Sequence, residues 1–184
     1  MKLIILIMKS HQERFLIQAE KVKSSFQKQI DKYNLTDSIS IIDYIGSYTN
    51  NYNKITYIKD NTIYCRGGDG ENSTYFKTLD ALEYINDNIE YDYIFRTNTS
   101  TFINVKLLYE FIKYIDKSKF YDKDIFFSSV LIALEETYAP RSADVVAQGK
   151  GLLFNQRLVN KLLNNKWESV DNEYDYSGIY FAKN

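Results

Sequence analysis

The run Lys2-Leu3-Ile4-Ile5-Leu6-Ile7-Met8, followed at once by Lys9-Ser10-His11-Gln12, decides the fold class. Its apolar residues do not alternate with polar ones. A strand built from them has no face for water and must be covered on both sides, the pattern of a parallel sheet flanked by helices. Phe15, Ala19, Val22, Phe26 and Ile30 then recur at helical spacing, giving one apolar stripe. Strand followed directly by amphipathic helix is the opening of an α/β unit.

The same alternation continues along the chain. Residues 38–45 are rich in Ile and read as a second strand, whereas 46–59 show little periodicity. Thr62-Ile63-Tyr64-Cys65 reads as a short third strand, and Arg66-Gly67-Gly68-Asp69-Gly70 as a flexible loop. Asn72 or Ser73 then caps a helix with Phe76, Leu79, Leu82 and Ile85 on one side. Tyr91-Asp92-Tyr93-Ile94-Phe95-Arg96 is a fourth strand, and Leu108, Phe111, Ile112 and Ile115 are the inward side of the next helix. Beyond it the pattern becomes mixed. Residues 124–130 and 143–154 look extended, and Leu158, Val159, Leu162 and Leu163 mark a short last helix. The expected architecture is a single α/β, Rossmann-like domain over 1–184, with a mostly parallel central sheet and a mixed C-terminal half. Its two halves run over 1–104 and 105–184.

Composition narrows the function. The 184 residues make about one domain. With 23 basic against 24 acidic residues, no chain-wide positive field exists to hold a phosphate backbone, so no nucleic-acid partner is expected. One cysteine, Cys65, excludes an internal disulfide, and one histidine, His11, cannot join it in a Cys/His zinc site. The first apolar run is far shorter than the ~20 residues of a membrane span. No membrane span and a cytoplasmic location are expected. The 17 tyrosines accompany abundant Ile, Lys and Asn, a chain-wide bias that lowers the functional weight of any one Tyr.

In open α/β sheets, ligands sit outside the carboxyl ends of the strands, so the polar segments after strands one, three and four are the places for chemistry. Arg96-Thr97-Asn98-Thr99-Ser100 is the leading candidate on position. Arg96 can pair bidentately with a phosphate and Asn98 can meet a sugar hydroxyl, although Thr, Asn and Ser also commonly end a strand. The glycines after Arg66 suggest an anion cradle, but neither a P-loop nor G-x-G-x-x-G spacing is present, and a surface turn is the simpler reading. Lys77 could reach a diphosphate from the same edge. Gln148-Gly149-Lys150-Gly151 marks either a close approach of ligand or a bulge. Asp171, Glu173 and Asp175 form an acidic cluster that reads as a solvated turn or as a source of a general base. With one histidine and no nucleophile elbow, no hydrolase triad can be assembled.

Taken in order, these segments resemble the GT-A nucleotide-sugar glycosyltransferases, in particular the β-1,3-glycosyltransferase and Fringe-like group with its compact viral and bacterial relatives. The collinear matches are Ser10-His11-Gln12-Glu13-Arg14, then Asp69 with Lys77-Thr78-Leu79-Asp80-Ala81-Leu82. They continue with the strand entering Arg96-Thr97-Asn98-Thr99-Ser100-Thr101-Phe102-Ile103-Asn104, the Gly149-Lys150-Gly151 strand and the 171–178 segment ending in Gly178. The resemblance implies a hexosyltransferase that moves a sugar from a nucleotide-diphosphate donor, UDP-linked by preference, to a hydroxyl of a glycan or protein acceptor. It implies donor contacts from Ser10, Arg14, Asp69, Lys77, Arg96, Thr97, Asn98 and Ser100, and acceptor or sugar contacts from Gly149, Lys150 and Gly151. Asp175 is the implied base, with Asp171 and Glu173 as alternates.

The chain departs from the family where the metal belongs. The aligned Asp-x-Asp motif is degenerate, Asn98, Thr99 and Ser100 carrying no carboxylate, and the family's C-terminal His is missing. Three expectations follow: Arg96 and Lys77 offset the diphosphate charge without metal, a weakly held Mn²⁺ or Mg²⁺ is assisted by Asp69 or Asp92, or the protein binds sugar nucleotides or glycans without turnover.

Overall fold

The computed structural model describes residues 1–47, 55–69, 74–118, 123–129 and 148–164. In chain order the elements are β1 (Leu3–Met8), α1 (Glu13–Lys32), β2 (Ile39–Ser47), β3 (Tyr57–Lys59), β4 (Thr62–Gly68), α2 (Thr74–Asn88), β5 (Tyr93–Asn98), α3 (Val105–Asp116), β6 (Phe126–Ser129), β7 (Gln148–Asn155) and α4 (Gln156–Asn164). The strands form one seven-stranded sheet in the order β3-β4-β2-β1-β5-β7-β6. The expected α/β class is observed, and strands from both halves of the chain share the sheet.

β1 lies at the centre because it is apolar on both faces. Its neighbours are parallel, Leu3 pairing in register with Ile39 of β2 and Tyr93 of β5. Ile4 and Leu6 face the layer of α2 and α4, where Ala81, Leu82, Ile85, Leu158 and Val159 meet them. Leu3, Ile5 and Ile7 face the layer of α1 and α3, packing with Val22, Phe26, Ile30, Val105 and Ile112. Burying each large side chain is worth ~1.5–3 kcal/mol, so this double-sided strand is the anchor of the fold.

Beyond the four parallel strands the edges turn antiparallel: β3 against β4, β7 against β5 and β6 against β7. The stretch without periodicity thus contains an edge strand. Asp60 and Asn61 take φ of 49° and 57°, as both central residues of a two-residue hairpin turn must, and side chains of this kind tolerate that conformation. Two further expectations are corrected. Arg66, Gly67 and Gly68 belong to β4 rather than to a loop, because β4 bulges against β2 and its ladder extends to Gly68. Phe111 is not inward; it is 42% exposed and packs edge-on against Phe127, while Val105, Ile112 and Ile115 supply the buried side of α3.

Helix ends follow local chemistry. Asn34, at φ 53°, closes α1 in a left-handed turn in which Leu35 N donates to Ile30 O and Asn34 N to Asp31 O. Asn104 caps α3 through its side chain, which accepts from Leu107 N at 3.0 Å. Among the described residues, no helix is long and apolar enough to cross a membrane.

Candidate functional site

The order of the parallel strands reverses between β1 and β5: β2 and β4 lie to one side of β1, and β5 to the other. In open α/β sheets such a reversal is where the connections splay apart and a ligand crevice lies outside the carboxyl ends of the strands. The polar segments that end β1, β2, β4 and β5 therefore converge there, and the start of β7 joins them because Gly151 pairs with Thr97.

The best-defined part of this end of the sheet is built around Asp69 and Lys77. The Lys77 side chain is only 3% exposed; its Nζ donates to Asp69 Oδ1 at 2.8 Å and to the Lys9 carbonyl at 3.2 Å. The other carboxylate oxygen of Asp69 accepts the His11 backbone N–H at 2.7 Å, and the Ser10 hydroxyl also donates to this carboxylate. Burial pushes the Asp69 carboxyl upward, but the Lys77 ammonium, the His11 N–H and the Ser10 hydroxyl together hold it below the usual carboxylate value. The His11 ring extends the link: Nε2 lies 2.8 Å from the Gly46 carbonyl, which can only accept, so Nε2 carries the proton. Residues 9–11 are thereby tied to β2, β4 and α2.

Glycines make this closeness possible. A Cβ on Gly46 would lie 2.2 Å from Gly68 O, and one on Gly67 would lie 3.0 Å from Lys77 N. The first turn of α2 thus rests directly on β4. Gly67 N donates to Asp80 Oδ2 at 2.8 Å, and Asp80 also pairs with Arg66 at 2.7 Å. The chain's own Asp80 thus occupies the Gly67 backbone donor that the glycine stretch would offer to an anion.

Arg96 lies beside this cluster, on the α2 side of β5, and is 3% exposed. Its Nε donates to Tyr44 OH at 2.8 Å and its Nη2 donates to Met8 Sδ at 2.9 Å; Tyr44 OH in turn lies 2.9 Å from Thr78 Oγ1. Thr97 is fully buried within β5, and Ser100 is exposed. Asn98 turns its side-chain oxygen onto its own loop, accepting from Ser100 N at 3.1 Å, Ser100 Oγ at 2.9 Å and Thr101 Oγ1 at 2.7 Å. Arg14 is exposed in the first turn of α1, with its guanidinium 4.5 Å from the Phe15 ring centroid.

No model of a known protein family matches the chain, and no curated protein matches it significantly.

On the opposite face of the sheet, under α1, sits a second charged group. Asp43 is fully buried in β2 and takes Lys9 Nζ at 2.8 Å and Lys23 Nζ at 2.9 Å on one oxygen, while Lys9 also reaches Glu20 at 3.0 Å. Burial lowers the affinity of Lys9 for its proton, yet Asp43 and Glu20 outweigh it and raise the pKa. These contacts stiffen the residue that follows β1.

Of the residues expected to contact the donor, the structure therefore joins Ser10, Asp69 and Lys77 in one hydrogen-bonded cluster, and sets Arg96 against Tyr44. It does not bring Arg14, Asn98 or Ser100 into either group. Asp92 is at the far end of β5, where its carboxylate accepts Lys2 N at 2.6 Å, so it cannot assist at the crevice. Gly149, Lys150 and Gly151 lie on β7 at the crevice end; at Gly151 an added Cβ would meet the Phe95 ring at 2.9 Å, a packing reason for that glycine. Asp171, Glu173 and Asp175 lie outside the described residues. Among the described residues, no three His, Cys, Asp or Glu side chains stand together as a cation site. Asn98 Oδ1 and both carboxylate oxygens of Asp69 are engaged by protein donors.

Sequence reasoning gave no site role to His11 or Thr78, although both stand in the collinear segments, and passed over Tyr44, Gly46 and Asp43. One signal for Asp43 was present, a lone carboxylate inside the Ile-rich second strand. Tyr44 carried none, because a buried Tyr in a tyrosine-rich chain looks like any other core aromatic.

Proposed function

We propose that this crevice binds a nucleotide-diphosphate sugar and that the protein transfers the sugar to a hydroxyl of a glycan or protein acceptor. The observation that carries this reading is the reversal of strand order at β1 and β5, with Ser10 and His11 on one side of the switch point, Asn98 to Ser100 on the other and the start of β7 alongside. That is the place where α/β sheets take nucleotides. The collinear resemblance to GT-A enzymes supplies the reaction class, and supplies it by analogy.

In this reading Arg14, exposed at the start of α1, is the cation available to the diphosphate. Lys77 acts from beneath, holding the β1–α1 connection through Asp69 and the Lys9 carbonyl. Asp175 is the proposed base, with Asp171 and Glu173 as alternates; it would take the proton of the acceptor hydroxyl as that oxygen bonds the anomeric carbon and the bond from this carbon to the diphosphate breaks, releasing the nucleoside diphosphate. No step passes through a metal ion.

A second reading, binding without turnover, is favoured by the loop at Asn98, whose side-chain oxygen is spent on its own backbone and hydroxyls. Calorimetric titration with UDP, with and without Mn²⁺, tests the shared premise: absence of binding in both conditions refutes the donor site. Slow release of sugar from UDP-sugars to water, abolished in Asp175→Asn, separates enzyme from binding protein.

A further inference from the structure

We infer that His11, the only histidine of the chain, is a positioning residue whose imidazole sets the β1–α1 connection in its ligand-binding conformation. The inference rests on the reading of the crevice as a nucleotide-sugar site. Two independent contacts carry it. The backbone N–H of His11 is held by Asp69 at 2.7 Å, and the ring Nε2 donates to the Gly46 carbonyl at 2.8 Å. One residue thus ties the segment after β1 to the carboxyl ends of both β4 and β2, across sequence separations of 58 and 35 residues.

The acceptor side of the contact is built for it. The β2–β4 register shifts between Ile45 and Ser47, and Gly46, between them, approaches Gly68 so closely that no Cβ fits. A glycine and a bulge together aim one main-chain carbonyl at the ring. Because that carbonyl only accepts, the contact selects the imidazole tautomer with the proton on Nε2. His11 is followed immediately by Gln12, the N-cap of α1, whose side chain makes no capping hydrogen bond. Where the ring is held therefore bears on where α1 begins, and Arg14 lies in its first turn. Replacing the imidazole by a group unable to donate removes the tie to Gly46 while leaving the backbone bond to Asp69 and the Asp69–Lys77 pair intact.

The test uses the intact chain with UDP as probe. Because there is a single imidazole, ¹⁵N-histidine NMR reports His11 without assignment; the expected spectrum is that of the Nε2–H tautomer, and its signals shift on addition of UDP. His11→Ala is expected to bind UDP about fivefold more weakly, the equivalent of one lost hydrogen bond, with a melting temperature within about 4 °C of the parent. His11→Gln, whose amide nitrogen can donate to Gly46, restores most of the affinity. An Nδ1–H tautomer, or His11→Ala binding UDP as tightly as the parent, overturns the inference and leaves the donor site standing. A parent protein that binds no UDP refutes the donor site, and the role assigned to His11 falls with it.

Discussion

Replacing Lys77 by Met tests whether this lysine is a strut or a phosphate ligand. The side chains are of similar length, so the substitution removes the charge with little change of volume. It strands the carboxylate of Asp69, which is 13% exposed and keeps only the neutral donors His11 N–H and Ser10. Removing one partner of a buried pair costs about 3–5 kcal/mol, and the two surviving donors argue for the lower end, about 3 kcal/mol. For a chain of this size that is a fall in melting temperature of roughly 6–12 °C at pH 7.

The pH dependence gives an independent check on the same pair. In the parent, Asp69 has a folded pKa below its ordinary 3.8, so its contribution is present above that value and is lost as the pH falls through the folded pKa. Without Lys77, burial is opposed only by neutral donors, and the folded pKa moves above the unfolded one. Protonation then relieves the mutant, and the gap between parent and mutant closes as the pH falls toward the ordinary carboxylate range. Asp69→Asn combined with Lys77→Met, which removes both charges, recovers most of the loss at pH 7. Thermal denaturation followed by circular dichroism between pH 7 and 4 measures all three proteins. A Lys77→Met variant that melts within 2 °C of the parent, or whose deficit is unchanged by pH, refutes the strut.

Two further substitutions probe the frame around the crevice. Gly151→Ala forces a methyl to within 2.9 Å of the Phe95 ring, and chemical denaturation should show a loss of about 1–3 kcal/mol, partly restored when Phe95 is also made Leu. Asn104→Ala deletes the cap on Leu107 N and should lower stability by about 1 kcal/mol, whereas Asn104→Asp or Asn104→Ser should be nearly silent in the same urea titration.

Much of the architecture was legible because it rests on local periodicity. Leu3 to Met8 announce a strand covered on both faces, and Ala19, Val22, Phe26 and Ile30 announce the helix that covers one of them; each of these helix residues is buried. The edge strand β3 was missed because three residues, alternating exposed and half-buried, leave no periodic trace, and the turn at Asp60-Asn61 was its only signal. Phe111 misled for the opposite reason: its place in the helical pattern is inward-compatible, and packing against Phe127 settled it at the surface. Sequence order placed the polar segments after strands one, three and four at the carboxyl ends of β1, β4 and β5. It also picked out Ser10, Asp69 and Lys77, but left their mutual contacts open.

By itself, then, the sequence determined the α/β class, the double cover of β1 and the strand ends where polar residues collect, since all three follow from which residues neighbour one another along the chain. Only the tertiary structure decided how those polar residues are used. Lys77 meets the Lys9 carbonyl across 68 residues, Arg96 meets Tyr44 across 52 and His11 meets Asp69 across 58. Pairings of that range are set by strand order and register. A buried charge takes whichever partner the sheet brings within about 3 Å, and here the chain brought its own.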